Sequence, residues 1–249
     1  MTPAQVLFAR IRCVLVETSH PGNVGAAARA IKTMGLTSMV LVAPRCVLDG
    51  DARARASGAE DILNDATSVD SLDAALGDCV LTVAATARPR DLGPTSTDAR
   101  GAAAALIAAA AQGPVALVFG NETSGLSNEQ LRRCDMLAHI PANDNYSSLN
   151  LASAVQIFAY EVRMALAPGI PAPAGAIDVP ATRLELEQLF AHAEEALAAI
   201  GFHDPVNPKR LMPRLRRLAA RARLEHEEVN ILRGMLKWAA RAQPGSDSK

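Results

Sequence analysis

Cysteine is scarce in this chain of 249 residues, and the four present, Cys13, Cys46, Cys79 and Cys134, include no CxxC pair. Their wide spacing excludes a local zinc or dithiol site and a disulfide framework, and they read as reduced, packed thiols. Long hydrophobic runs are missing as well. The stretch GAAAALIAAAAQG is too short and too weakly apolar to span a bilayer. The opening MTPAQVLFARIR has neither the basic flank nor the continuous apolar core of a secretion signal. No membrane association and no metal are therefore expected, and a cytoplasmic location is. A GxGxxG following a strand and a GxxxxGKS or GxxxxGKT loop are both absent, which removes the common dinucleotide and P-loop fingerprints. An excess of one charge is lacking too: 25 Lys and Arg face 26 Asp and Glu, a net charge of −1. Such a balance excludes a surface that coats nucleic acid over its whole area but leaves room for a local patch. Hydrophobic residues make up 49% of the chain, which excludes disorder as the main state.

What is present alternates between short apolar runs and helical patterns. Ile11–Glu17, Ser38–Val42, Cys79–Ala85, Pro114–Phe119 and Met136–Ile140 read as strands. Their continuous apolar character suits a parallel sheet buried on both faces. Between them, Asn23–Met34, Ala52–Asp65, Ser71–Leu76, Thr97–Ala111 and Ser148–Leu166 read as helices, giving a layered α/β domain over residues 1–166. Four prolines and two glycines then crowd residues 167–181, an extended linker. Residues 182–249 form a helical extension, with helices over Thr182–Ile200, Lys209–Arg223 and Glu225–Arg241.

Three loops with glycine or polar residues follow strands, at the carboxyl edge where open α/β sheets bind ligands. In His20–Arg29 (HPGNVGAAAR), Gly22, Gly25 and Ala26 permit close approach of a backbone or a ligand, and Asn23 is a candidate helix N-cap. Arg29 follows Asn23 by about one and a half helical turns. An ordinary strand-to-helix turn with a surface arginine explains that spacing equally well. In Phe119–Ser127 (FGNETSGLS), Ser127 and Gln130 form a capping box, which accounts for the serine but not for Glu122. In Ile140–Leu151 (IPANDNYSSLNL), Ser147 or Ser148 is the expected cap of the next helix, and Asn150 is out of place within a helix start.

Taken together, NxGxxxR at Asn23–Arg29, VFGNExxGL at Val118–Leu126 and IPANDNYSSLNLASA at Ile140–Ala154 resemble, in order and spacing, the three SpoU motifs of the SPOUT superfamily of RNA ribose 2′-O-methyltransferases. ATAR at Ala85–Arg88, the SSLNLA wording and a C-terminal segment containing GF, NP, RLRRL and ILRG are similar to the branch acting on cytidine or uridine at nucleotide 32 of tRNA. The resemblance implies S-adenosyl-L-methionine as cofactor, a parallel sheet whose C-terminal part is threaded into a trefoil knot, and a homodimer. It implies a cofactor pocket built from Ala85, Thr86, Ala87, Gly120, Ile140, Ser147, Ser148, Leu149 and Asn150. It implies that Asn23, Arg29, Glu122, Ser148 and Asn150 serve catalysis, with Arg29 facing the RNA. In the dimer, motif one of one subunit is expected near the pocket of the other. A ribosomal RNA substrate, and an RNA-binding protein without catalysis, stay open as alternatives, although the intact motif residues argue against loss of activity.

The local patch lies in the extension. Lys209, Arg210, Arg214, Arg216, Arg217, Arg221 and Arg223 fall in one stretch with no acid among them, while Leu211, Leu215 and Leu218 keep an apolar face. A solvated face of an amphipathic helix and a phosphate-gripping surface both fit this pattern, and the second makes Arg214, Arg217 and Arg221 RNA ligands. Aromatic residues are only 3% of the chain, so recognition is expected to rest on charge and shape rather than on base stacking.

Overall fold

The computed structural model describes residues 2–87, 95–143, 145–166 and 179–241. The chain divides into two compact units, Met1–Ala176 and Ile177–Lys249.

In the first unit, elements run α1 (Pro3–Ala9), β1 (Ile11–Val16), α2 (Pro21–Thr33), β2 (Ser38–Val42), α3 (Gly50–Ala56), α4 (Glu60–Asn64), β3 (Thr67–Val69), α5 (Leu72–Leu76), β4 (Leu81–Ala85), β5 (Thr95–Asp98), α6 (Ala99–Ala110), β6 (Val115–Phe119), α7 (Asn128–Arg132), β7 (Met136–His139) and α8 (Leu151–Ala165). The strands form one seven-stranded sheet in the order β3-β2-β1-β6-β4-β7-β5, and every pairing is parallel. The register sets Val14 beside Val118 and Val83 beside Leu117 and Met136, so four strands end together at one edge.

Alternation of side chains assigns each strand to two cores. Ile11, Cys13 and Leu15 of β1 pack with Val24, Ile31, Leu106, Phe119 and Phe158 on one face. Val14 and Val16 join Val40, Val118, Leu76 and Leu131 on the other. Burial on both faces is why these strands read as unbroken apolar runs. Thr82 and Asp135 are buried polar residues that satisfy each other across β4 and β7. The Asp135 carboxylate accepts from the Thr82 N–H at 2.9 Å and from its hydroxyl at 2.6 Å.

Several sequence expectations shift. Ala52–Asp65 is two helices rather than one, because the chain turns left-handed at Ser57 (φ 44°) and Gly58 (φ 87°). Strands β3 and β5 and helix α1 were not expected. Thr95–Asp98 and Thr67–Val69 are the two sheet edges, largely exposed and mostly polar, so they carry little of the apolar signal that marks the central strands. Helix α8 begins at Leu151, three residues later than expected, and this shift leaves Ser148 in the loop. At Gly25 the close neighbour is backbone: a Cβ there would lie 2.0 Å from the Ala52 carbonyl oxygen, so the glycine serves the packing of α2 on α3.

The second unit contains α9 (Arg183–Ala199), α10 (Leu211–Ala222) and α11 (His226–Arg241) around Leu186, Leu189, Phe190, Ala193, Met212, Ala219 and Val229. Residues 167–178 of the expected linker, and 242–249 of the tail, lie outside the described residues. Residues 179–181 pack within this unit: Ala181 donates its N–H to the Leu224 carbonyl at 2.9 Å and is buried in the helical core. Thr182 and Glu185 form a reciprocal capping box that starts α9.

Candidate active site

The carboxyl ends of β4, β6 and β7, with the start of α8, surround a cavity of about 340 Å³. Its walls include Ala85, Thr86 and Ala87 after β4, the whole run from Phe119 to Leu126 after β6, and Ile140 after β7. Ser147, Ser148 and Leu149 close it from the loop before α8, and Leu151, Ala154 and Phe158 from the helix itself. Every expected cofactor residue except Asn150 lines this cavity. Arg88, of the ATAR segment, lies outside the described residues.

The β6 loop is shaped by its own backbone. Gly125 adopts φ +67° and returns its N–H to the Asn121 carbonyl at 2.8 Å. This fold brings Gly125 so close to Gly120 that a Cβ on Gly120 would meet its carbonyl carbon at 2.2 Å. Asn121 pins the loop to the sheet by donating its amide to the Glu17 carbonyl at 2.7 Å and accepting from the Thr123 N–H at 2.9 Å.

Beside the cavity, the three loops are joined by hydrogen bonds. Glu122 receives four donors: Ser19 N–H (3.1 Å), Ser19 O–H (3.0 Å), His20 N–H (3.3 Å) and the Asn23 side-chain amide (3.0 Å). Asn23 in turn accepts at Oδ1 from the Asn150 amide at 3.0 Å. Asn150 accepts the Ala152 N–H at 2.9 Å and is the N-cap of α8. Asn150 is thus a cap after all, in place of the expected Ser147 or Ser148, and its second function is to hold Asn23. Asn23 does not cap α2: His20 occupies that position, with Pro21 at the first helical turn. Ser19 and Asn121 were missed by sequence reasoning, because their partners stand about a hundred residues away or lie in the main chain.

Electrostatics follow from these contacts. Partial burial raises the Glu122 carboxyl, but the hydrogen bonds from Asn23 and Ser19 outweigh it and hold it below the usual glutamate range. A group with a depressed folded pKa stabilises the fold above its unfolded value and loses that contribution as pH falls through the folded one. The unfolding midpoint of the wild type is therefore expected to exceed that of Glu122→Gln by a constant margin above about pH 5, with the margin shrinking below about pH 4. Thermal unfolding of both proteins across that range checks it; a margin that does not change with pH would remove the charge from the account. Burial pushes the Cys13 and Cys79 thiols up to about 12, so neither of these two offers a nucleophile. Among the described residues no cluster of His, Cys, Asp and Glu is suited to a metal ion, and no helix is long and apolar enough to cross a membrane.

Arg29 is exposed on α2 and is not part of the cavity wall. In the second unit, Arg214, Arg217 and Arg221 are exposed at helical spacing along α10. Arg216 departs from that row. It binds Glu187 at 2.6 Å and lies 4.4 Å above the Phe190 ring, so it belongs to the packing of α10 on α9.

Comparison with known proteins follows the same division. The profile of the SpoU rRNA Methylase family matches residues 10–160, and that of the tRNA methyltransferase TrmJ C-terminal domain matches residues 184–248. The tRNA (cytidine/uridine/adenosine-2′-O-)-methyltransferase TrmJ of Pseudomonas aeruginosa is 47% identical over 96% of this chain and 97% of its own length. The crystal structure of TrmJ from Z. mobilis superposes with a TM-score of 0.77 at 30% identity, covering 91% of this chain and 97% of that one. An AdoMet-bound rRNA methyltransferase from Sinorhizobium meliloti matches 63% of this chain and 56% of its own with a TM-score of 0.52 at 25% identity. A parallel sheet with its polar loops gathered at one edge, three motifs joined through Asn23, and a profile match over residues 10–160 place the chain in the SpoU methylase family, to which it belongs.

Proposed function

We propose that this protein transfers a methyl group from S-adenosyl-L-methionine to a ribose 2′-OH of tRNA, at cytidine or uridine, with nucleotide 32 of the anticodon loop as the target that the motif resemblance implies. The observation that carries this reading is the hydrogen-bonded meeting of the three loops, Glu122 to Asn23 to Asn150, beside a cavity of a size that accepts a small cofactor. The relatives named for tRNA 2′-O-methylation match both units, and the AdoMet-bound relative supports the choice of cofactor.

The cavity fits that cofactor chemically. Backbone groups of the Gly120–Leu126 and Ala85–Ala87 segments can meet polar edges, while Leu126, Ile140 and Leu149 offer apolar surface to a flat ring. When bound, the cofactor supplies an activated methyl on a sulfonium, so the chain's own contribution is alignment and electrostatics. Ser147, Ser148 and Leu149 border the cavity where the reacting ends meet in this reading. Glu122 is a positioning residue rather than the proton acceptor, since four donors already occupy its oxygens. Arg29 fixes a phosphate or the developing alkoxide of the RNA. In the homodimer of this reading Arg29, which lies outside the cavity wall of its own chain, serves the partner's pocket. A trefoil knot in the C-terminal half of the sheet domain, the domain divisions 1–166, 167–181 and 182–249, and a cytoplasmic location complete the reading.

Incubating the purified chain with methyl-labelled cofactor and either bulk tRNA or ribosomal RNA tests it. Label is expected in tRNA, recovered after digestion as 2′-O-methylcytidine or 2′-O-methyluridine. Label in ribosomal RNA alone would transfer the activity to that substrate, and cofactor binding with no label in either would leave a non-catalytic RNA-binding protein.

A further inference from the structure

Tyr146 precedes Ser147, which lines the cavity, but is itself no part of the cavity wall and is 81% exposed. Exposed apolar side chains are ordinary when scattered, so exposure alone assigns nothing. What sets Tyr146 apart is how it is held and what surrounds it. Its N–H donates to the Asn143 carbonyl at 2.9 Å, and the Asn145 N–H donates to the Asn143 side chain at 2.9 Å. These bonds close a turn that fixes the backbone carrying the ring at the rim of the cavity. The other aromatic rings of the sheet unit are engaged elsewhere. Phe8 is buried in the core, and Phe119 and Phe158 form a buried edge-to-face pair with centroids 5.7 Å apart. Tyr160 stands about 14 Å along α8 from its start at Leu151.

The proposed reaction, on which this inference rests, asks for such a ring. Its methyl passes to the ribose of cytidine or uridine alike. The two bases carry opposite groups at ring position 4, an amino donor in one and a carbonyl acceptor in the other. A contact that read this edge would accept one base and reject the other. The flat faces of both are alike to an aromatic side chain, and stacking tolerates either. A loop nucleotide is recognised with its base unstacked and splayed out, which leaves that face open to a protein ring.

We infer that Tyr146 stacks on the base of the target pyrimidine and so sets its ribose 2′-OH at the mouth of the cavity, admitting cytidine and uridine by the face of the ring and not by its edge. The scarcity of aromatic residues agrees with this division of labour. One nucleotide needs one platform, while charge and shape hold the rest of the RNA.

Three variants of the full-length chain, Tyr146→Phe, Tyr146→Leu and Tyr146→Ala, test it with two readouts. The first is single-turnover methylation of tRNA with cytidine or uridine at nucleotide 32. Phenylalanine keeps the ring and should stay within about twofold of wild type, whereas leucine and alanine should each lower the rate by about 10–10²-fold, the worth of one stacked base. The loss should be equal for the two bases. The second readout is the emission of pyrrolocytidine, a fluorescent cytidine analogue, placed at nucleotide 32. Wild type and Tyr146→Phe should quench it by stacking, and the leucine and alanine variants should not. Binding of S-adenosylhomocysteine should stay within about twofold throughout, because the substituted side chain is exposed and outside the cavity wall. A wild-type rate in Tyr146→Ala would overturn the inference, as would full activity in Tyr146→Leu, which has bulk but no ring. A loss in Tyr146→Phe equal to that in Tyr146→Ala would transfer the role to the hydroxyl, and weakened S-adenosylhomocysteine binding would transfer it to the cofactor; either overturns stacking. A wild type that quenches the probe through Tyr146 but transfers no label would refute the proposed reaction and uphold this contact.

Discussion

Replacing Arg29 by alanine is expected to lower single-turnover methyl transfer by about 10²–10³, the cost of removing a preorganised donor to a developing oxyanion. Cofactor binding should stay within about twofold of wild type, because Arg29 is exposed on α2 and forms no part of the cavity wall. Arg29→Lys divides the roles further: lysine keeps the charge but loses the planar fork that grips two oxygens at once. Substantial rescue by lysine favours a point-charge role, and no rescue favours bidentate positioning. Saturating tRNA removes a binding defect from the comparison. A wild-type single-turnover rate in Arg29→Ala would return this residue to an ordinary surface arginine.

The second large effect is expected on tRNA affinity. Arg214, Arg217 and Arg221 stand exposed on one side of α10, and if they grip phosphates, reversing all three to glutamate is expected to remove three contacts and add repulsion. Each contact contributes about 0.7–0.9 to the slope of log affinity against log salt, so the slope should fall by about 2–3. Affinity at low salt should fall by about 10²–10³ by the same counterion-release relation. Titration of tRNA at several salt concentrations, with cofactor binding measured in parallel, separates this from misfolding. Unchanged tRNA affinity would make the row a solvated face. Arg216 is left out of the variant because it holds Glu187 and covers Phe190, and its loss would disturb the helical core.

The central strands were legible in the sequence because burial on two faces writes a continuous apolar run, as in VALVF of β6. The edge strands were not, since TSTD of β5 is held by backbone pairing to β7 and needs no apolar side chain. The cavity residues were read through motif resemblance, and their convergence follows from four strands ending at one edge. Sequence spacing misassigned the caps. Asn23 lies within the first turn of α2, which starts one step after His20, and Asn150 rather than either serine caps α8. Ser19 carried no local signal, for its function lies in Glu122, about a hundred residues downstream.

The links from α8 to Glu122 all point the same way. The Ala152 N–H donates to Asn150, Asn150 donates to Asn23, and Asn23 donates to the Glu122 carboxylate. Both middle members are amides, which neither gain nor lose a proton in water at ordinary pH. The chain therefore acts as a rigid strut and not as a proton wire. Its one titrating member, Glu122, is already ionised well below neutrality. The alignment it enforces is constant from mildly acid to alkaline solution, so a rate that rises with pH in that range reports the group that takes the substrate's proton, not the scaffold. Hydrolysis of either amide to an acid, a change of one heavy atom, would set carboxylate against carboxylate at Asn23 or remove a donor at Asn150, and would disable the strut without altering the shape of the site.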